Sequence, residues 1–132
     1  MKHLSSSNKI YISESKTDNH GVGRGVFAKE KIIKGEVIEL CPLIEIPEYE
    51  FENLGSSILL EYIFFFGKEK EKACLALGFG SLYNHSSTPN AEYKIKEKEK
   101  LLEIQATKDI EANEEITFNY KGNSKLPLWF EV

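Results

Sequence analysis

Cysteine, histidine and surplus positive charge are all scarce in this chain of 132 residues. The only cysteines are Cys41 and Cys74, and neither belongs to a CxxC pair. That excludes a disulfide framework and a cysteine-based zinc site, and it favours a reducing intracellular compartment. Three histidines, at positions 3, 20 and 85, are too few and too scattered for a histidine-based metal centre. Seventeen Lys and Arg against twenty-one Asp and Glu give a net charge of −4. No basic surplus is left to hold phosphate backbones, so direct nucleic-acid binding is not expected. A mildly acidic surface suits a basic partner instead.

Long hydrophobic runs are missing too. The greasiest stretch, "ILLEYIFFFG", is broken by Glu61 and ends well short of the roughly 20 apolar residues a membrane helix needs. "MKHLSSSNKIY" carries no apolar signal-peptide core, so neither secretion nor membrane insertion is expected, and the "NHS" match to a glycosylation site at 84–86 reads as accidental.

What remains is an ordinary globular composition, 41% hydrophobic, in a length that suits one domain. The first eight residues are polar and serine-rich and read as a tail, with a folded domain over 9–120 and a short second tail over 121–132. Short β-favouring runs separated by turn residues follow one another: "KIYISES", "VFA", "EVIEL", "LIEI", "CLAL", "AEYKIK", "LLEIQA" and "EITF". Only 48–66 could hold helix, starting after Pro47 and interrupted at Gly55 and Ser56. The fold class expected is therefore mostly β with short helices. The Lys/Glu runs at 68–72 and 94–100 read as solvated turns or hairpin faces.

Two segments resemble each other. "AKEKIIKGEVI" (28–38) and "ATKDIEANEEI" (106–116) align Ala28 with Ala106, Ile32 with Ile110, Glu36 with Glu114 and Ile38 with Ile116. Gly35 then falls opposite Asn113. These residue types best tolerate positive φ, so the same turn is expected before a strand in both copies.

Three further motifs could carry chemistry. "HGVGRGVFA" clusters glycines at 21, 23 and 25, but lacks the spacing of a dinucleotide fingerprint and the Lys-Ser/Thr of a P-loop. Taken alone it is either a tight hairpin turn or a ligand loop. "GFGSLYNHSSTPN" places Asn84 and His85 behind an apolar turn able to stiffen them. Alone, His85 is as well read as structural and Asn84 as a loop brace, since neither has the partners of a Ser-His-Asp set. "EEITFNY" ends on Tyr120, which alone could be a core tyrosine.

Their joint order resembles the SET domain, the fold of many protein-lysine methyltransferases, over about Lys9 to Tyr120, and is most similar to the short stand-alone SET proteins of bacteria and large DNA viruses. The resemblance implies small twisted sheets, with the segment 84–90 passing the segment 114–120 in a pseudoknot-like crossing. It implies S-adenosylmethionine as cofactor, leaving as S-adenosylhomocysteine. Backbone around Gly23 and Arg24 would hold its methionine end, and Asn84 and His85 would meet its amino-acid portion and adenine edge. Tyr120 matches the active-site tyrosine that orients the amine and the methyl group. Tyr62 and Phe118 match positions along the lysine channel, and Trp129 with Phe130 would form a C-terminal aromatic lid. Phenylalanine rather than tyrosine at 118 leaves room for more than one methyl group. The expected partner is a basic protein such as a histone, in the cytoplasm or at chromatin, and a homodimer is compatible with the small core. Asn119 and Ser87 depart from the commoner Asp and Cys of the family. The alternative is a catalytically silent SET domain that binds a peptide, although such relatives often lose the Asn-His pair or the tyrosine that this chain keeps.

Overall fold

The computed structural model describes residues 4–16 and 23–120, and the C-terminal aromatics Trp129 and Phe130 lie outside them. Along the chain run β1 (Ile10–Ser15), β2 (Gly23–Ala28) and β3 (Val37–Ile46), a 3-10 turn (Glu48–Glu50), the short helix α1 (Phe51–Gly55) and a second 3-10 turn (Ile58–Tyr62). There follow β4 (Ile63–Phe66), β5 (Lys72–Ala76), a 3-10 turn (Gly80–Leu82), β6 (Asn84–His85), β7 (Ala91–Lys96), β8 (Leu101–Ala106) and β9 (Glu115–Phe118). Strands dominate, as the composition of short β-favouring runs implies.

One sheet has the order β1-β2-β9-β6 and the other β4-β5-β3-β8-β7. "EVIEL" and "LIEI" prove to be a single strand, β3, that changes partner at Pro42. Val37 to Pro42 pair with β8, and Leu43 to Ile46 pair with β5. Proline has no N–H to give a ladder, so a changeover point suits it. The interrupted helix appears where Gly55 and Ser56 place the break. "IFFF" is β4 rather than its continuation, with Phe64 and Phe66 turned inward at alternate positions.

The two similar segments embrace each other. Ile32 and Ile110 form an antiparallel bridge with reciprocal hydrogen bonds of 2.8 Å, and both side chains are fully buried. Gly35 N–H donates to Ala106 O at 2.8 Å, and Asn113 N–H donates to Ala28 O at 2.7 Å, matching ties made by matching residues. Gly35 (φ 91°) and Asn113 (φ 69°) both adopt the left-handed turn expected of them. One turn launches β3 and the other β9, which carries the chain to Tyr120. Burying each isoleucine of the bridge contributes about 2 kcal/mol, so this clasp fixes the base of both sheets.

Candidate active site

Asn84 and His85 are held by a short parallel ladder. β6 lies beside β9 with Asn84 opposite Thr117 and His85 opposite Phe118, and Ser86 N–H continues the ladder to Phe118 O at 3.2 Å. Asn90 closes the far end. Its side chain accepts from Thr117 N–H at 2.9 Å and donates to Glu115 O at 2.9 Å, so the loop is tied to β9 by both functions of one amide. Thus 84–90 runs along 114–120, which is the crossing the sequence implies.

The Asn84 side chain reaches β2 as well as β9. Its Nδ2 donates to Arg24 O at 2.9 Å and to Glu115 Oε2 at 2.8 Å, while Glu115 Oε1 accepts from the buried Ser15 hydroxyl at 2.8 Å. Gly25 makes this convergence possible, because a Cβ there would stand 2.2 Å from Glu115 Oε2 and 2.9 Å from Asn84 Nδ2. Gly23 and Gly25 are therefore residues of β2, and at 25 the lack of a side chain serves close approach. The glycine motif's other half falls among residues 17–22, outside those described.

Tyr120 is fixed at both ends. Its backbone N–H donates to His85 Nδ1 at 3.0 Å, its hydroxyl donates to the Tyr83 carbonyl, and its ring centroid lies 5.3 Å from that of His85. Nδ1 of His85 thus acts as an acceptor toward the Tyr120 backbone. Next to it Phe118 is buried in a nest of rings, with centroids 5.3 Å from Tyr83, 5.1 Å from Tyr93, 6.0 Å from Phe64 and 5.9 Å from Tyr120. Burial, together with the Glu39 carboxylate, raises the Tyr83 phenol well above its ordinary range, and burial also raises Tyr93. Both rings stay uncharged at neutral pH. Outside the crossing a polar cleft of about 610 Å³ is lined by His85, Ser86, Ser87, Thr88, Lys108 and Glu114, among others. Among the described residues no three His, Cys, Asp or Glu side chains are grouped to hold a metal ion, and no helix is long and apolar enough to cross a membrane.

The order of these elements decides the family: the sequence pattern of the SET domain matches residues 23–121. The chain belongs to the SET domain family. The H3 lysine-37-specific histone-lysine N-methyltransferase of Schizosaccharomyces pombe is 34% identical to it over 115 residues, 86% of this chain and 74% of that protein. A Plasmodium falciparum protein described as a histone methyltransferase has a crystal structure similar at a TM-score of 0.61, with 34% identity over 85% of this chain and 96% of the other. A humanized Chaetomium thermophilum Polycomb Repressive Complex 2, bound to an inhibitor, matches at a TM-score of 0.70 and 25% identity over 90% of this chain and 15% of its own. The same fungal complex bound to S-adenosylmethionine shares the fold at a TM-score of 0.69 and 24% identity, over 90% of this chain and 16% of that one.

In this SET domain the positions singled out in the sequence are brought together unequally. Arg24, Asn84, His85, Phe118 and Tyr120 form one connected group. Gly23 begins β2 beside Arg24, opposite Ser15. Tyr62 joins through its backbone, since its carbonyl accepts from Ser81 Oγ at 2.9 Å. Sequence reasoning passed over Tyr83, Tyr93 and Phe64, which surround Phe118. Tyr93 was legible in hindsight: in "AEYKIK" the residues Glu92 and Lys94 are exposed and Tyr93 between them faces inward.

Proposed function

We propose that this SET domain is a protein-lysine N-methyltransferase that uses S-adenosylmethionine and modifies a lysine of a basic protein, with histones the first candidates. The observation that carries this reading is the Tyr120 hydroxyl held on the Tyr83 carbonyl, immediately beside the Asn84–His85 strand. A phenol so directed can meet an incoming amine in one orientation, and restricting orientation removes much of a reaction's entropic barrier. The kinship with the fission-yeast histone-lysine methyltransferase supports the substrate class.

The residues present fit the cofactor by their chemistry. S-adenosylmethionine has a zwitterionic amino-acid end, a sulfonium centre and a purine with donors and acceptors. Arg24 offers a cation, Asn84 an amide, and the β6 backbone a polar edge, and Asn84 is tied directly to the Arg24 carbonyl, which brings the two together. Backbone at Gly23 and Arg24 would take the methionine end, and Asn84 and His85 the rest. When bound, the cofactor supplies a methyl group on a positively charged sulfur.

The chain's own residues then have to supply a neutral, aligned amine. A free lysine is protonated at neutral pH, with a pKa of about 10.4. A narrow apolar channel that keeps water out disfavours the charged form, and the buried rings packed around Phe118 would give it an apolar wall. Tyr120 orients the amine, His85 fixes the Tyr120 backbone, and Tyr62 and Phe118 bound the approach. Phenylalanine at 118 gives no hydroxyl to occupy the space of a second methyl group, so di- or trimethylated product is expected. Trp129 is proposed to close the channel from the C-terminal side.

The direct experiment incubates the full chain with methyl-labelled S-adenosylmethionine and a panel of basic proteins that includes core histones and ribosomal proteins. Label on lysine of at least one member is expected, with mass spectrometry giving the number of methyl groups. Cofactor binding by calorimetry without any transfer would favour a silent peptide-binding domain instead. No cofactor binding would reject the reading.

A further inference from the structure

Glu39 is a carboxylate in the interior, 7% exposed, and no Lys, Arg or His pairs with it among the described residues. It sits on β3, which belongs to the sheet that carries neither Tyr120 nor the Asn84–His85 strand. Its hydrogen bonds nevertheless lead to both. Oε1 accepts from the Tyr83 hydroxyl at 2.9 Å, a bond that is itself buried, and Oε2 accepts from Phe79 N–H at 2.9 Å. The chain wraps closely about this group, since a Cβ on Gly78 would stand 2.5 Å from Oε2. One carboxylate therefore holds the two ends of the turn 79–83.

That turn is what supports the proposed active site. The carbonyl of Tyr83 receives the Tyr120 hydroxyl, and the Tyr83 ring lies 5.3 Å from Phe118. Between the two anchored ends, Ser81 Oγ donates to the Tyr62 carbonyl at 2.9 Å and accepts from Ala76 N–H at 3.2 Å. The hydrogen bond of the Tyr120 hydroxyl and the side-chain tie to the Tyr62 carbonyl thus both end on a turn clamped by Glu39. Swinging the Tyr83 ring away would rotate the adjoining peptide plane and move the oxygen that Tyr120 addresses.

We propose that Glu39 is a positioning residue: its buried carboxylate sets the Tyr83 carbonyl, and through that oxygen the direction of the Tyr120 hydroxyl. The inference rests on Tyr120 being the active-site tyrosine of the proposed reaction. Glu39 touches no reacting group. Its influence is geometric, and two acceptor oxygens are needed because the groups it receives, an O–H and an N–H, are both donors. A glutamine keeps the shape, but the N–H₂ it places against Tyr83 can only donate to the phenol oxygen, so the buried Tyr83 hydroxyl proton loses the carboxylate that accepts it.

The test uses the full chain with tyrosine rings labelled with carbon-13 at the ε positions, in Glu39→Gln and, as a second variant, Tyr83→Phe. Tyr120→Phe assigns the Tyr120 signal. The expected result is a displaced Tyr120 ring signal in both variants without cofactor. Alongside it, kcat should fall roughly tenfold to hundredfold while KM for cofactor and peptide changes by less than about threefold. Should Glu39→Gln fail to fold, Tyr83→Phe carries the test alone, because it leaves the carboxylate bonded to Phe79. A Tyr120 signal unmoved in the folded variants overturns the proposal, and so does a loss of rate expressed wholly in KM. If the wild-type protein transfers no methyl group at all, the proposed function fails, yet the ring signal still decides whether Glu39 governs Tyr120.

Discussion

Replacing Gly25 by alanine adds one methyl group where the structure has no room for it. The new carbon would stand 2.2 Å from Glu115 Oε2 and 2.9 Å from Asn84 Nδ2, on a backbone held in β2 between β1 and β9. Gly25 is paired with Ser13 of β1 and runs directly into Val26, which pairs with Ile116 of β9, so its backbone has little room to retreat and the Glu115 carboxylate must swing away. That carboxylate accepts from Ser15 Oγ at 2.8 Å and Asn84 Nδ2 at 2.8 Å. Hydrogen bonds to a charged acceptor contribute about 1.5–3 kcal/mol each, and partial exposure of Glu115 argues for the lower end, so losing both costs about 3 kcal/mol. For a domain of this length that corresponds to a fall in Tm of roughly 10 °C. Circular dichroism melts measure it directly. The severest clash is with the Glu115 side chain, and the Asn84 amide needs to give only a little, so truncating Glu115 should relieve most of the cost: in the background Glu115→Ala, Gly25→Ala should lower Tm by no more than about 3 °C. A Gly25→Ala protein within 2 °C of wild type, or equal losses in both backgrounds, would refute the reasoning.

Asn90→Ala removes the side chain that satisfies Thr117 N–H and Glu115 O at the crossing, both at 2.9 Å, and should cost about 2–4 kcal/mol in urea unfolding; a loss below 1 kcal/mol would contradict the clasp. Asn113→Ala, at φ 69°, should cost about 1–2 kcal/mol, whereas Asn113→Gly should remain within about 0.5 kcal/mol of wild type by the same assay. Alkali should weaken the fold. Burial pushes the Cys74 thiol up to about 12, and burial with the neighbouring Glu39 raises Cys41 too. Above the unfolded thiol value of about 8.5 the unfolded chain loses protons that the folded chain retains, so each thiol takes away up to about 1.4 kcal/mol per pH unit. Urea midpoints should be level between about pH 6 and 8 and fall steadily to pH 10.5; an unchanged midpoint at pH 10.5 would contradict this.

Local chemistry explains what could be read from the sequence. Gly35 and Asn113 announce left-handed turns by residue type alone, and their matched surroundings announce that the turns are alike. The crossing of 84–90 with 114–120 was legible only through the resemblance to the SET domain, which the order of the three motifs carries. Other features depend on distant neighbours. "IFFF" follows a helical turn without punctuation, and nothing short of its pairing with β5 distinguishes a buried strand from more helix. β6 has two residues and no periodicity to read. Glu39 would pass for a solvent-facing residue of "EVIEL", but a register shift between Val37 and Glu39 against β8 turns it inward. Gly25 is required by Asn84 and Glu115, residues some 60 and 90 positions away in the chain, whose convergence no local pattern records.

Transfer by Tyr120→Phe, set beside transfer by the wild type, tests the central claim most directly. The substitution keeps the ring against His85 and Phe118 and removes only the hydroxyl that donates to the Tyr83 carbonyl. Labelled methyl incorporation into a lysine-containing protein substrate should fall by about a hundredfold or more, with the melting temperature and cofactor affinity close to wild type. A folded Tyr120→Phe protein that transfers methyl groups at the wild-type rate would contradict the account.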